Sequence, residues 1–542
     1  MIHKYMGKVK SFIKNHYYLF TGILYFMSFP SYDCAVFRFF PFFAWLCLVP
    51  LFISLNYKKT LRSVFFTSFI TGLLGNFLAY NWIGDFGATV FGGSFVILLF
   101  LVPTLSVFFA VKILLGEYLA RRYEHLRLFI IPSAWIIIDW IQSLGFLAFP
   151  WTYIGYSQYP FTSFIQSASV TGILGINFII VLFNTTLAVF FMGACKNGFR
   201  SFHRFSWGRR FAAVMIILLS ITAAGQIRLH KTSSKGRETL RVAIVQSCIS
   251  PWENWPRNRF RYLRELKKYT LMAKKCNPDF VVWSESATLE LLSFRYRRGT
   301  ADRFDEELID FIKKDVQVPL LTGEIGLIQA DTVLGSRYLP QNSAVLFDGG
   351  GELVSDYAKI HLVPFGEWFP YAKWAPAIQK LALSFGGSTF VPGDRPELFE
   401  VAGRKLGTLI CYEGIFYRLC RKYRNMGADF LVNITNDGWT DASNGHFQHF
   451  SASVLRAVEN GVPLVRAGNT GVSALITPHG EITKTMPILK KGYICGEIPF
   501  YPSIRTFYSI YGDLILYIAL AFSVFLFLSG FWRNKKSEME NS

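Results

Sequence analysis

The stretch GTLICYEGIF, residues 407–416, reads as a short apolar β-strand that ends at Cys411. No charge falls between Thr408 and Tyr412, and Glu413 follows at once. An apolar run of this length suits a strand buried on both faces. A cysteine in such a strand is ordinarily a small hydrophobe. It becomes a nucleophile when a base can take its proton or a cation can stabilise its thiolate. Similar runs surround it in the sequence: LRVAIVQ (240–246), DFVVWSE (279–285), VPLLTG (318–323), NSAVLFD (342–348), DFLVNIT (429–435), VPLVRA (462–467) and VSALIT (472–477). Between some of them lie helical stretches. Over 302–314, Phe304, Leu308 and Phe311 share one helical face, and 446–460 is a second candidate. Strands alternating with helices and hairpins predict a sheet core with helices packed on it.

Outside 228–506 the chain changes character. Of its 542 residues 52% are hydrophobic and only 17% charged, with 54 phenylalanines, which is too apolar for a water-soluble protein of this size. The long apolar runs predict about eight transmembrane helices, at 15–32, 39–55, 63–84, 89–111, 128–146, 166–193, 211–227 and 507–532. The first is short enough to compare with a signal peptide. It has no small-x-small cleavage site, and another apolar run follows directly.

The net charge of +20 invites a nucleic-acid reading, but its distribution argues otherwise. Residues 228–506 hold 36 basic and 28 acidic residues, so most of the excess lies elsewhere. It sits in alternate loops: Lys4, Lys8, Lys10 and Lys14; Lys58, Lys59 and Arg62; Lys112, Arg121, Arg122 and Arg127; Lys196, Arg200, Arg204, Arg209 and Arg210; and Arg533, Lys535 and Lys536. The intervening loops are almost devoid of positive charge, with Arg38 in one and none in 85–88 or 147–165. Positive loops mark the cytoplasmic side. The expected organisation is a membrane domain at 1–227, an extracytoplasmic domain at 228–506, and a last helix with a cytoplasmic tail at 507–542. Both termini then lie in the cytoplasm.

The outer segment holds Cys248, Cys276, Cys411, Cys420 and Cys495. Five is odd, so pairing within the domain leaves at least one free thiol. No Cys or His spacing suggests zinc, and the expected metal content is none. Glu285 closes the strand DFVVWSE, where a carboxylate is costly without a partner. Lys359 and Glu367 lie in YAKIHLVPFGEWFP. Spacing alone does not bring Glu285, Lys359 and Cys411 together.

Taken together, WSES, YAKIHLVPFGE and LICYEGIF resemble the Glu–Lys–Cys motifs of the nitrilase superfamily. HLVPFGEWFP, NDGWT (436–440) with the segment after it, VQSCISPWENW (245–255) and FPWTYIGYSQ (149–158) are similar to the membrane-bound branch of that superfamily, the apolipoprotein N-acyltransferase family. The chain departs from that pattern at Ser284, where proline is usual, and at Asp139–Trp140, where a Glu-Trp pair is common. NDGWT also lacks the usual alanine.

The resemblance implies a nitrilase-like αββα sandwich on a polytopic helical membrane domain. It implies Glu285 as general base, Lys359 as oxyanion stabiliser and Cys411 as nucleophile. Glu367 and Glu413 would support the site, Tyr412, Trp255 and Trp439 would line the substrate path, and Asn342 would contribute beside them. The implied partners are a phospholipid acyl donor and a diacylglyceryl apolipoprotein acceptor, with no cofactor and no nucleic acid. The implied location is the bacterial inner membrane, with the catalytic domain periplasmic. A membrane-tethered amidase, or a transporter with a degenerate outer domain, would be the rival readings. Few ionisable residues lie in the spans, Asp139 being the main one, which weakens the transporter. One segment has a physical argument of its own. Phe365, Trp368, Phe369, Tyr371 and Trp374 alternate with polar residues in 365–385, as expected of an arm that dips into the bilayer interface.

Overall fold

The computed structural model describes residues 16–30, 40–85, 95–145, 147–197, 206–233, 238–332, 335–369, 389–440, 443–501 and 505–541. The chain divides into two compact units, a helical one ending at 231 and resuming at 511, and a mixed one spanning 232–510.

In the mixed unit, sheet one has the order β12-β1-β2-β3-β4-β5 and sheet two the order β11-β10-β9-β8-β7-β6. Sheet one comprises β1 (Glu238–Gln246), β2 (Phe280–Trp283), β3 (Leu320–Thr332), β4 (Gly335–Phe347), β5 (Leu353–Ala358) and β12 (Gly492–Phe500). Sheet two comprises β6 (Leu398–Val401), β7 (Arg404–Ile410), β8 (Phe430–Thr435), β9 (Leu464–Gly468), β10 (Ser473–Ile476) and β11 (Ile482–Met486). The runs β1-β2-β3 and β7-β8-β9 are parallel, and the remaining pairs antiparallel.

Alternation along each strand builds two apolar layers. Val242, Ile244, Val282, Leu321 and Leu346 point inward and meet Leu406, Ile410, Val432, Ile434 and Val465 of the other sheet. Ala243, Val245, Val281 and Trp283 point outward and pack beneath Tyr262, Leu263, Leu266, Phe304 and Leu308. These outer residues come from two helices, Trp255–Lys274 and Arg303–Phe311. Helices Tyr417–Met426 and Ser443–Asn460 cover the second sheet. The result is the αββα sandwich that the resemblance implied.

The helical unit holds five helices long and apolar enough to cross a membrane, at Leu61–Gly84, Ile97–Ala120, Ala168–Lys196, Ser206–Lys231 and Leu514–Trp532. The other three expected spans take a different form. The first contains a ten-residue helix, Tyr18–Met27. The second breaks into Phe40–Phe43 and Val49–Leu55. The fifth is a 16-residue helix, Arg127–Gln142, which ends ahead of Gly145 at φ +77°. Of the expected interfacial arm, 370–388 lies outside the described residues, Tyr371 and Trp374 included.

Lys112, expected in a loop, lies instead inside the helix Ile97–Ala120, where its Nζ is 2.5 Å from Asp139 Oδ1 and both side chains are buried. Asn177 Nδ2 donates to Asp139 Oδ2 at 2.7 Å, and the ammonium sits over the Trp135 ring. Asn177 Oδ1 in turn accepts from the Gly155 N–H at 2.8 Å, tying the pair to the short 3₁₀ helix Ile154–Gln158. A buried charge of this kind is tolerated only while its partner remains. Lys112→Met alone should therefore destabilise the protein in detergent by about 3–5 kcal/mol. Adding Asp139→Asn, which keeps a polar contact to Asn177, should restore much of that loss. Equal melting of the single and double variants would show that the pair carries no such constraint.

Candidate active site

Three strand ends converge in the mixed unit. Glu285 lies two residues beyond β2, Lys359 follows β5 directly, and Cys411 follows β7 directly. Glu285 can turn here because β3 presents Gly323, where a Cβ would come within 2.9 Å of the Ser286 nitrogen. The Cys411 thiol lies beside the Glu285 carboxyl, close enough for each to shift the ionisation of the other. Lys359 Nζ lies 3.6 Å from Glu285 Oε1 and 2.8 Å from Glu367 Oε1, and its side chain has no solvent exposure. The structure thus joins the residues that spacing could not.

Asn342 on β4 is the link between the two carboxylates. Its Nδ2 donates to Glu285 Oε1 at 2.8 Å and to Glu367 Oε1 at 2.6 Å. Glu285 Oε2 accepts from the Asn436 N–H at 2.6 Å, and Glu367 Oε2 from the Val363 N–H at 2.8 Å. Burial pushes the Glu285 carboxyl above its ordinary range; Lys359 opposes the shift and Glu367 adds to it. Burial alone would lower Lys359, but Glu367 and Glu285 outweigh it and hold the ammonium charged. Burial, then Glu285, raises the Cys411 thiol well above its usual value, and Lys359 offsets part of this. The resting pair is therefore a neutral thiol and a carboxyl group beside a fixed cation.

Cys411 opens a short 3₁₀ turn, Cys411–Ile415, with φ +51°. A side chain in that conformation costs about 1–3 kcal/mol and persists only where neighbours enforce it. Here they grip its carbonyl. Asn433 Nδ2 donates to Cys411 O at 3.2 Å, and His449 Nε2 lies 3.1 Å from it. His449 Nδ1 is 2.8 Å from Asp437 Oδ1 and 3.0 Å from Arg466 Nη2. Arg466 also pairs with Asp437 Oδ2 at 2.9 Å and donates to Asn433 Oδ1 at 2.5 Å. Burial opposes ionisation of Asp437, but His449 and Arg466 overcome it and hold its carboxyl well below the usual range.

Glu413 is fully buried and receives four hydrogen bonds. Tyr357 Oη (2.7 Å), Ile360 N (2.7 Å) and His361 N (3.2 Å) donate to Oε1, and Ile410 N donates to Oε2 at 2.8 Å. It therefore ties the Lys359 loop to the end of the Cys411 strand. Tyr412 is buried, with its ring edge-on to Phe416, which stacks on His361. Trp439 packs edge-on against Trp252. Trp255 is placed elsewhere: its indole N–H donates to Glu290 Oε1 at 2.8 Å, and its ring stacks on Tyr262 in the outer helix layer. The sequence reading missed Asn433, Asp437, His449, Arg466 and Trp252. One signal was present, since Arg466 interrupts an apolar strand where a cation needs a buried partner.

The acids Glu290, Asp302 and Asp305 also converge, close enough to share a metal ion. Arg259 and Arg295 already meet their charge: Arg259 lies 2.8 Å from Asp302, and Arg295 2.7 Å from Glu290 and 2.5 Å from Asp305.

Residues 21–186 match the family model described as the apolipoprotein N-acyltransferase N-terminal domain, and 241–501 match that of carbon-nitrogen hydrolase. An apolipoprotein N-acyltransferase of Geobacter metallireducens is 31% identical, with 92% of each chain covered. One of Borreliella burgdorferi is 28% identical, with 87% of each covered. Among solved structures, a nitrilase-superfamily amidase from Nesterenkonia is 19% identical with a TM-score of 0.37, covering 49% of this chain and 92% of its own.

Burial, opposed by its hydrogen bonds, pushes the Glu413 carboxyl up to about 7 from 4.5. The folded pKa then exceeds the unfolded one, so this group's contribution to stability is full below about 4.5 and is lost as pH rises through about 7. The stability penalty of Glu413→Gln should accordingly be larger at pH 5 than at pH 8, by roughly 3 kcal/mol. A penalty equal at both would mean that the four donors keep the carboxylate ionised throughout.

Proposed function

The chain belongs to the apolipoprotein N-acyltransferase family, and from that premise we propose how Glu285, Lys359 and Cys411 carry its acyl transfer. It is a membrane-bound acyltransferase of lipoprotein N-acylation. The donor is a phospholipid and the acceptor the α-amine of an N-terminal diacylglyceryl-cysteine. The observation that carries the chemistry is the half-buried Cys411 beside Glu285, with Lys359 Nζ 3.6 Å from that carboxyl.

Glu285 takes the thiol proton as Cys411 Sγ attacks the ester carbonyl. Lys359 stabilises the oxyanion that forms. The carbon–oxygen bond breaks, Glu285 returns the proton to the leaving alkoxide, and a lysophospholipid departs from a Cys411 thioester. The acceptor amine then attacks the thioester while Glu285 removes its proton. The carbon–sulfur bond breaks, Cys411 recovers its proton, and the N-acylated product leaves. Neither half-reaction consumes a nucleotide, because the phospholipid ester supplies the activated acyl group. Asn342 and Glu367 hold the base and the cation in register, and Glu413 fixes the strand end behind the nucleophile. The alternate basic loops support an orientation in the inner membrane with 232–510 on the periplasmic side and both termini in the cytoplasm.

Two outcomes test this reading. With defined phospholipid and a diacylglyceryl-cysteine peptide, wild type should yield an amide-linked third acyl chain by mass spectrometry. Cys411→Ser should lower that rate by about 1,000-fold or more. Undiminished turnover, or release of fatty acid with no peptide product, would overturn it. The acid limb of the wild-type rate should have its midpoint above 4.5, since burial raises Glu285. Glu367→Gln removes a like charge and should move that midpoint to lower pH. A midpoint that stays fixed would remove Glu285 as the base.

A further inference from the structure

The mixed unit contains Cys248, Cys276, Cys411, Cys420 and Cys495. Cys411 lies beside Glu285 in the active site. Cys420 is fully buried in its helix, and burial pushes its thiol up to about 12. Cys248 lies in the loop after β1, with its N–H on Asn469 O at 3.0 Å. Cys276 and Cys495 face one another.

Their meeting follows from the packing of the helix Trp255–Lys274 on sheet one. Cys276 comes two residues after that helix, its N–H donating to Ala273 O at 3.0 Å. Cys495 stands in β12 opposite Ala243 of β1, and its side chain packs into the layer beneath the same helix. Arg241 clamps the helix end to this ladder: Nη1 donates to Cys276 O at 3.1 Å, and Nη2 lies 2.8 Å from Glu497, two residues past Cys495. The two thiols are near enough to influence each other's ionisation, and each side chain is half-buried. Two cysteines that Arg241 and the β1–β12 ladder bring together on adjacent rigid elements are candidates for a covalent bond.

We propose that Cys276 and Cys495 are joined as a disulfide in the mature protein. This rests on the reading that 232–510 faces the oxidising side of the membrane, where such bonds persist. The oxidant is a disulfide donor acting by thiol–disulfide exchange. One cysteine thiolate attacks the donor's S–S bond and forms a mixed disulfide; the other displaces the donor thiol. Two protons and two electrons leave the cysteines, and the donor ends as two thiols. The bond staples the end of the helix to edge strand β12 and closes a long loop, which restricts the unfolded chain. It also consumes this pair of outer thiols, while Cys411 stays reduced beside its base.

The full-length protein, taken from membranes without reductant and alkylated in denaturant, gives a direct test after trypsin digestion. The peptides 276–295 and 492–505 each carry one cysteine. The expected result is a linked pair of these peptides, two hydrogens lighter than their sum, that separates on reduction. Wild type should then melt lower when reductant is added, and Cys276→Ser should melt at that lower temperature with or without it. A reduced pair in cells that links in a glutathione redox buffer would uphold the pairing and overturn the outward placement. Two alkylated thiols in the oxidising buffer, or a link from either cysteine to Cys248 or Cys420, would overturn the pairing itself.

Discussion

A fully buried ammonium is the constraint around which the mixed unit is arranged. Lys359 has no access to water, so its charge depends on Glu367 at 2.8 Å and Glu285 at 3.6 Å. Two buried carboxylates beside one cation would in turn repel each other. Asn342 relieves that conflict by donating to both, and backbone N–H groups of Asn436 and Val363 occupy the remaining oxygens. The strands must therefore end where they do. Moving β2, β4 or β5 by one residue would turn its polar group away from the cluster.

The nucleophile is held by a different device. Cys411 adopts a left-handed backbone that its own residue type disfavours, and Asn433 and His449 secure it from behind through the carbonyl. Asp437 and Arg466 hold His449 in turn. Glu413 spans from Ile410, just before the nucleophile, to Ile360, just after the lysine. Base, cation and thiol come from separate strands, yet their relative positions are fixed by groups that take no part in proton transfer. Such preorganisation lets a buried site favour charge as it develops rather than rearranging to meet it.

Much of this fold was legible in the sequence, because two-sided burial writes short apolar runs: β1, β2, β3, β4, β7, β8, β9 and β10 all coincide with such runs. The strands that went unread are of another kind. β5 and β11 are largely half-buried or exposed, and β6 has only four residues. β12 finds its partner β1 more than two hundred residues away. In the helical unit, hydrophobicity located the spans but not their lengths: the fifth is a 16-residue helix that ends ahead of Gly145, and the second divides into Phe40–Phe43 and Val49–Leu55. At the site, strand-end residues and resemblance picked out Glu285, Lys359 and Cys411. Of the Asp437–His449–Arg466 support only Arg466 left a signal, as a cation in an apolar strand, because the members are joined by buried charge balance rather than by any period. Trp255 shows the same limit, since its indole serves Glu290 while Trp252 meets Trp439.

The central claim is that Cys411 carries the acyl group between donor and acceptor. Intact mass spectrometry of the purified protein after incubation with phospholipid alone tests it most directly. The account predicts one added acyl mass on wild type, removed by hydroxylamine and never gained by Cys411→Ala. An adduct that persists on Cys411→Ala, or free fatty acid released with no adduct on wild type, would contradict it.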